Sequence, residues 1–181
     1  MRASRLFAVL VILGTTLAGA AAATGEEFRD PKTGLAVNLP PGFTARMVSP
    51  TMGETVEIEV ERKEPPASCS VTFEENVANS SLTQEQINEM ASKPEWLNLI
   101  RTMMGAMHEI ISLDRMTQDG AVGAVLVVKS KMEMLAKFRI YQALFETRRG
   151  RTVVQCTANQ DRFDGLRKDY DSITAGVKLP R

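Results

Sequence analysis

The feature that most restricts the fold of this chain is a set of segments in which apolar and polar residues alternate. In TVEIEVER, residues 56–61 switch at every position between a β-branched apolar residue and a glutamate. A period of two is typical of a strand with one buried face and one solvated face. The sequence therefore predicts that Glu57, Glu59 and Glu61 line the solvent side of a strand.

Further segments extend this pattern into a sheet. FRDPKTGLAVNLPPGF predicts two short strands around a turn at residues 32–34, and SCSVTFEE places Cys69 with apolar residues on one face. Later strands are expected around 108–116, 121–134, 137–147 and 151–158, with a hairpin at 118–120. Several of these are apolar on both sides, which is typical of strands covered on both faces of a sheet.

Two regions have the three-to-four-residue spacing of amphipathic helices instead. Capping-box patterns begin at Thr83 and Ser92 and predict two consecutive helices up to residue 107. The second helix carries an apolar stripe that we expect to pack against the sheet: Leu97, Ile100, Met103, Met104 and Met107. A last helix is predicted from an N-cap at Asp161. The pattern favours an α+β fold, an antiparallel sheet with helices on both faces.

The opening and the close of the mature chain resemble those of the PsbP-like family, which includes the extrinsic photosystem II subunit and the Ran nucleotide-release factor. The similarity lies in DPKTGLAVNLPPGF, residues 30–43, and FDGLRKDYDSI, residues 163–173. It implies an antiparallel sheet sandwiched by helices and a non-catalytic binding or assembly role. The matching motifs contain no catalytic residues to carry over.

The N-terminus has the layout of a cleaved secretory signal. Arg2 and Arg5 precede an apolar core, and small residues lead to Ala23, after which cleavage is expected. The apolar core is too short to span a bilayer, which takes roughly 20 residues. We expect a signal peptide at 1–23, a single domain at 24–181 and a periplasmic location, without stable membrane insertion.

Charge gives no indication of a general polyanion-binding role. The full chain has 22 basic and 22 acidic residues, and loss of the two signal arginines leaves a mature chain near −2. A near-neutral surface of mixed sign does not favour nucleic acid or anionic lipid. We therefore expect no nucleic-acid partner. The binding or assembly role that the family resemblance implies points to a protein partner, whose identity the sequence does not indicate.

The chain has two cysteines, Cys69 and Cys156, both on predicted strands and in phase with apolar neighbours. Two cysteines in an oxidising compartment usually pair, so a disulfide is the leading interpretation and two buried free thiols are the alternative. The single histidine, His108, and the lack of C-x-x-C spacing leave little support for a nucleophile or a zinc site. We therefore expect neither an enzyme nor a bound cofactor.

Two surface hypotheses remain. MMGAMH groups Met103, Met104, Met107 and His108, ligand types that suit copper(I), although methionines at helical spacing are more typical of core residues. The basic hairpin tip Arg148, Arg149 and Arg151 is the candidate docking site for an acidic partner, with a plain solvated turn as the alternative. The leading function is an exported accessory protein, and periplasmic copper handling is the alternative.

Overall fold

The computed structural model describes residues 26–50 and 53–181, so the predicted signal segment lies outside the described residues. The strands are β1 (Glu27–Arg29), β2 (Ala36–Asn38), β3 (Thr44–Val48), β4 (Val56–Arg62), β5 (Ala67–Glu75), β6 (His108–Gln118), β7 (Ala121–Ser130), β8 (Phe138–Thr147), β9 (Gly150–Asn159) and β10 (Val177–Lys178). Seven of them form one antiparallel sheet in the order β3-β4-β5-β9-β8-β7-β6, and β1-β2-β10 form a small second sheet.

The described helices are α1 (Gln84–Ala91), α2 (Pro94–Gly105) and α3 (Gln160–Gly176), with 3₁₀ turns at Val77–Ser81 and Glu133–Leu135. At the start of α1 the Thr83 hydroxyl accepts from the backbone N–H of Gln86, and the Gln86 side chain accepts from the backbone N–H of Thr83. This is the predicted capping box. Among the described residues no helix has the length and apolar character needed to cross a bilayer.

Two of the predicted N-caps are wrong by one or two residues. Lys93, not Ser92, precedes α2, because Pro94 starts that helix with a fixed φ, and the Ser92 hydroxyl instead donates to the Asn88 carbonyl at 2.7 Å. Helix α3 begins at Gln160 rather than after Asp161. The backbone N–H of Gln160 donates to the Lys137 carbonyl at 3.0 Å, which ties the first turn to the loop before β8.

Helices cover both faces of the large sheet, as the sequence predicts. Helix α3 and the small sheet pack on one face and form the larger core cluster, which contains Tyr141, Tyr170 and the β4 and β5 apolar side chains. Helices α1 and α2 pack on the other face, mainly against β6, β7 and β8. The apolar cluster below α2 is smaller and is centred on Ile100, Leu126 and Val128. The fold is thus an α+β sandwich whose second layer is incomplete.

Candidate functional site

Among the described residues, no α-helix covers strands β3, β4, β5 and β9 on the α2 side of the sheet. We call this surface the open face. Its side chains follow from the strand parity: the apolar residues of β4 and β5 point to the α3 side, so the glutamates of β4 and the serines of β5 point to the α2 side. The sequence prediction of a solvated β4 face is consistent with this arrangement, since all three glutamates are partly exposed.

The strand register shows how the chemistry changes across this side of the sheet. One row of directly paired residues runs from β4 to β7 as Glu59, Ser70, Gln155, Gln142 and Leu126. The row is acidic at β4, neutral and polar at β5 and β9, and apolar where the sheet passes below α2. At its centre the Gln142 side-chain amide donates to Gln155 Oε1 at 2.6 Å.

The neighbouring row follows the same order. It runs as Glu57, Thr72, Val153, Leu144 and Ala124. Two parallel rows with the same gradient make the open face acidic along β4 and apolar along its inner edge, while the edge strand β3 places Arg46 opposite Glu59. The gradient is therefore a property of the surface and does not depend on a single side chain.

A groove of about 230 Å³ runs along the inner edge, between α2 and strands β8 and β9. We call it the α2 groove. Its wall is formed by Trp96, Leu99 and Met103, which are spaced by three and four residues and so share one side of the helix. Leu144 and Val153 lie on its floor. Leu99 and Met103 are 55% and 62% exposed, so this apolar stripe of α2 is largely unpartnered.

The expectation that the whole methionine stripe packs in the core is wrong. Only Leu97, Ile100 and Met104 belong to or contact the cluster below α2, and Met103 and Met107 are each 62% exposed. Met107 lies outside the stripe because α2 ends at Gly105, two residues earlier. Met103 faces the α2 groove. The buried stripe and the exposed stripe of α2 have the same spacing of three and four residues, so the sequence does not show which of the two packs against the sheet.

Charges on the open face are only partly neutralised. Arg46 forms an ion pair with Glu59, and Arg151 pairs with Glu146 at 2.7 Å at the end of the α2 groove. Among the described residues, Glu57, Glu61 and Glu74 have no side-chain ion pair. The open face therefore carries an excess of negative charge.

The side chains of the methionine–histidine cluster lie in different environments, because α2 ends before Met107 and His108. Met104 packs below the helix, while Met103 and Met107 are exposed. The Nδ1 atom of His108 is buried and has no hydrogen-bond partner among the described residues. The same residues contain no group of three or more histidine, cysteine, aspartate or glutamate side chains that could hold a metal ion.

The basic tip is not the free loop that the sequence suggested, because each arginine is engaged within the fold. Arg149 donates to the Thr33 carbonyl at 2.5 Å, pairs with Glu75 at 3.5 Å and lies over the Phe73 ring. Arg148 donates to the Ser80 carbonyl at 3.3 Å, and Arg151 faces the α2 groove. The three guanidinium groups make contacts with different parts of the surface, and docking of an acidic partner at this tip stays a prediction.

The cysteines form a disulfide, as the leading interpretation expected. Cys69 and Cys156 are directly paired across β5 and β9 and are 2% and 0% exposed. The thiols are thereby used in a buried cross-link between two central strands. They are available neither as nucleophiles nor as metal ligands.

Two buried tyrosines stay protonated at neutral pH. Burial raises the pKa of Tyr141 to about 12, and its hydroxyl lies 3.1 Å from the Thr174 hydroxyl. Burial also raises the pKa of Tyr170 to about 12, and its hydroxyl has no partner among the described residues. The Tyr141 ring packs against α3 and Tyr170 is a residue of α3, so both side chains belong to the core.

The opening motif has a structural explanation. The Asp30 carboxylate accepts from the backbone N–H and the hydroxyl of Thr33 at 2.7 and 2.6 Å, which closes the β1–β2 turn. Burial raises the pKa of Asp30, but these hydrogen bonds outweigh it and hold the pKa below its usual value. Gly34 and Gly42 have φ of 80° and 82°, a region that favours glycine. The motif therefore specifies the fold and supplies no reactive group.

No protein-family model matches this sequence, and no curated protein matches it in sequence. Solved structures do match it. The solution structure of cyanobacterial PsbP (CyanoP) from Synechocystis sp. PCC 6803 superposes with a TM-score of 0.55 at 14% identity, over 89% of this chain and 96% of that one. LpqN of Mycobacterium tuberculosis, described as involved in cell envelope biogenesis, gives a TM-score of 0.48 at 11% identity, over 89% and 88%. The fold that the family resemblance implied is confirmed, since the chain has a PsbP-like fold.

Proposed function

We propose that this protein is an exported, non-catalytic accessory protein that binds a protein partner through the open face and the α2 groove. The observation that carries the proposal is the unpartnered apolar stripe of α2, which lies beside an uncovered half of the sheet. Exposed apolar side chains grouped beside polar ones are typical of interaction sites. The buried disulfide supports a binding role, because it removes both cysteines of the chain as nucleophiles.

Export is the second part of the proposal. A disulfide is typical of oxidising compartments such as the periplasm. Mass analysis of the protein from a periplasmic extract should give an N-terminus at Thr24, which follows the expected cleavage after Ala23. A cytoplasmic protein that retains Met1 and has reduced thiols would contradict export, whatever its binding function.

In-cell photo-crosslinking tests the binding role. A photoreactive amino acid is placed at Gln155 on the open face, at Lys168 on the outer side of α3, or at Glu109 on β6, all exposed positions. We expect a discrete protein adduct from Gln155 and none from the other two. An adduct from Lys168 or Glu109 alone would retain a binding function but move it to another surface. No adduct from any position would contradict an accessory role.

The second candidate function is copper handling. It is favoured by the His108 Nδ1 atom, which is buried and has no hydrogen-bond partner in the described part of the chain, and by the position of Met107 next to His108 in the sequence. Imidazole and thioether groups are suitable ligands for copper(I). Elemental analysis of protein from copper-supplemented cells should then show stoichiometric metal, and a Met107→Leu/His108→Gln variant should lose it. Protein purified without stoichiometric copper would remove this function and leave the binding role unaffected.

A further inference from the structure

We propose that the occupant of the open face and the α2 groove is a single basic amphipathic α-helix of a protein partner. This inference rests on the proposed binding function and specifies the chemistry of the partner. It follows from three properties of the surface: its width, the spacing of its apolar residues and the sign of its unpaired charges.

The width of the uncovered region fits one helix. Four neighbouring strands, β3, β4, β5 and β9, extend about 14 Å across, because adjacent strands lie about 4.8 Å apart. An α-helix with its side chains is about 10–12 Å in diameter. A helix placed there would lie beside α2 and complete the second layer of the sandwich.

The apolar residues along the α2 groove determine the spacing of the apolar residues that a partner helix needs. Trp96, Leu99 and Met103 form one wall of the α2 groove, and Leu144 and Val153 form its floor. An incoming helix that buries apolar side chains at spacings of three and four would pack against both. Methionine is flexible and polarizable, so Met103 can adapt to differently shaped side chains.

The acidic side chains of β4 and β5 determine which charge is favourable on the partner. When the apolar stripe of the helix lies in the α2 groove, the adjacent flank of the helix lies above β4 and β5. Glu57, Glu61 and Glu74 are there without ion pairs among the described residues. Lysine or arginine on that flank would be attracted, and acidic residues would be repelled. The same negative charge disfavours an anionic bilayer as the occupant.

Selection from a random 18-residue peptide library tests this chemistry directly. The mature, oxidised protein is the target, and the selected peptides are afterwards measured on a Met103→Glu variant that takes no part in the selection. Because Met103 is exposed, this variant should keep the thermal midpoint of the wild type. Met134→Glu is the matched control, since Met134 is 82% exposed and lies outside the groove.

We expect the selected peptides to have apolar residues at helical spacing and an excess of Lys and Arg on one flank. Their affinity should fall at least about tenfold in Met103→Glu, because a carboxylate in an apolar groove loses hydration without gaining a partner. Affinity should be unchanged in Met134→Glu. A Glu57→Lys/Glu61→Lys variant should shift the selection toward acidic flanks.

Selected peptides that are acidic, that lack helical periodicity, or that bind Met103→Glu as well as the wild type would overturn the inference. Binding of the wild type to anionic phosphatidylglycerol vesicles, if lost in Met103→Glu, would overturn it in favour of a membrane. These outcomes are distinguishable from failure of the proposed function. In-cell adducts from Gln155 would still establish a binding surface even if the selected peptides were not basic helices.

Discussion

Reduction of the Cys69–Cys156 disulfide should destabilise the domain strongly. The two half-cystines are separated by 87 residues, and each is buried in the centre of the main sheet. Cross-linking a loop of that length lowers the conformational entropy of the unfolded chain by an amount worth about 4–5 kcal/mol at 25 °C. For a domain of this size, each kcal/mol corresponds to about 2–4 °C in the midpoint of thermal unfolding. The expected loss on reduction is therefore about 8–20 °C.

Differential scanning calorimetry measures this loss. Because the disulfide is buried, the protein should be reduced in denaturant and refolded with reductant present, and its mass after alkylation should confirm two free thiols. A Cys69→Ala/Cys156→Ala variant is the control for the reductant, since its midpoint should not respond to it. A fully reduced wild type that melts within about 3 °C of the oxidised protein would refute the reasoning.

Three further predictions concern single side chains. Arg149→Ala should lower the free energy of unfolding by about 1–2 kcal/mol, because Arg149 makes three internal contacts. Arg148→Ala should lower it by under about 0.5 kcal/mol, and equal losses for the two variants in a urea titration would contradict this. Tyr141→Phe should cost about 1 kcal/mol through its lost hydrogen bond, but Tyr170→Phe should be neutral or stabilising, and the reverse order of thermal midpoints would be inconsistent. Asp30→Asn should be destabilised at pH 7 and should converge with the wild type in acid. Because the folded-state pKa of Asp30 is lowered, its contribution is present above the ordinary carboxyl pKa and is lost as the pH falls through the folded-state value; parallel stability–pH curves would contradict it.

The sheet and its helices could be predicted because each has a local period. Alternation in residues 56–61 identifies β4 and the side that it exposes, and the Gln86 position after Thr83 identifies the start of α1. The predicted start of α3 is wrong by two residues, since the observed start depends on a backbone contact with Lys137 in a distant loop. Local patterns therefore gave the elements, and long-range contacts adjusted their ends.

The candidate site was less accessible from the sequence. The stripe containing Met103 has the spacing of a core helix, and only the tertiary structure shows that α2 covers β6 to β8 and leaves its other flank free. The arginine tip looked like a loop of one charge sign, but Arg149 folds back onto Thr33, which is 116 residues away in the chain. An exposed apolar stripe and a buried one have the same pattern until the neighbouring elements are placed.

The central claim is that the open face and the α2 groove are the surface through which this protein binds its partner. The most direct test is the yield of the in-cell adduct from Gln155 in the wild type, in Met103→Glu and in Met134→Glu. We predict a yield at least about tenfold lower in Met103→Glu and an unchanged yield in Met134→Glu, with equal amounts of folded protein in all three strains. Equal adduct yields in Met103→Glu and the wild type would contradict the claim.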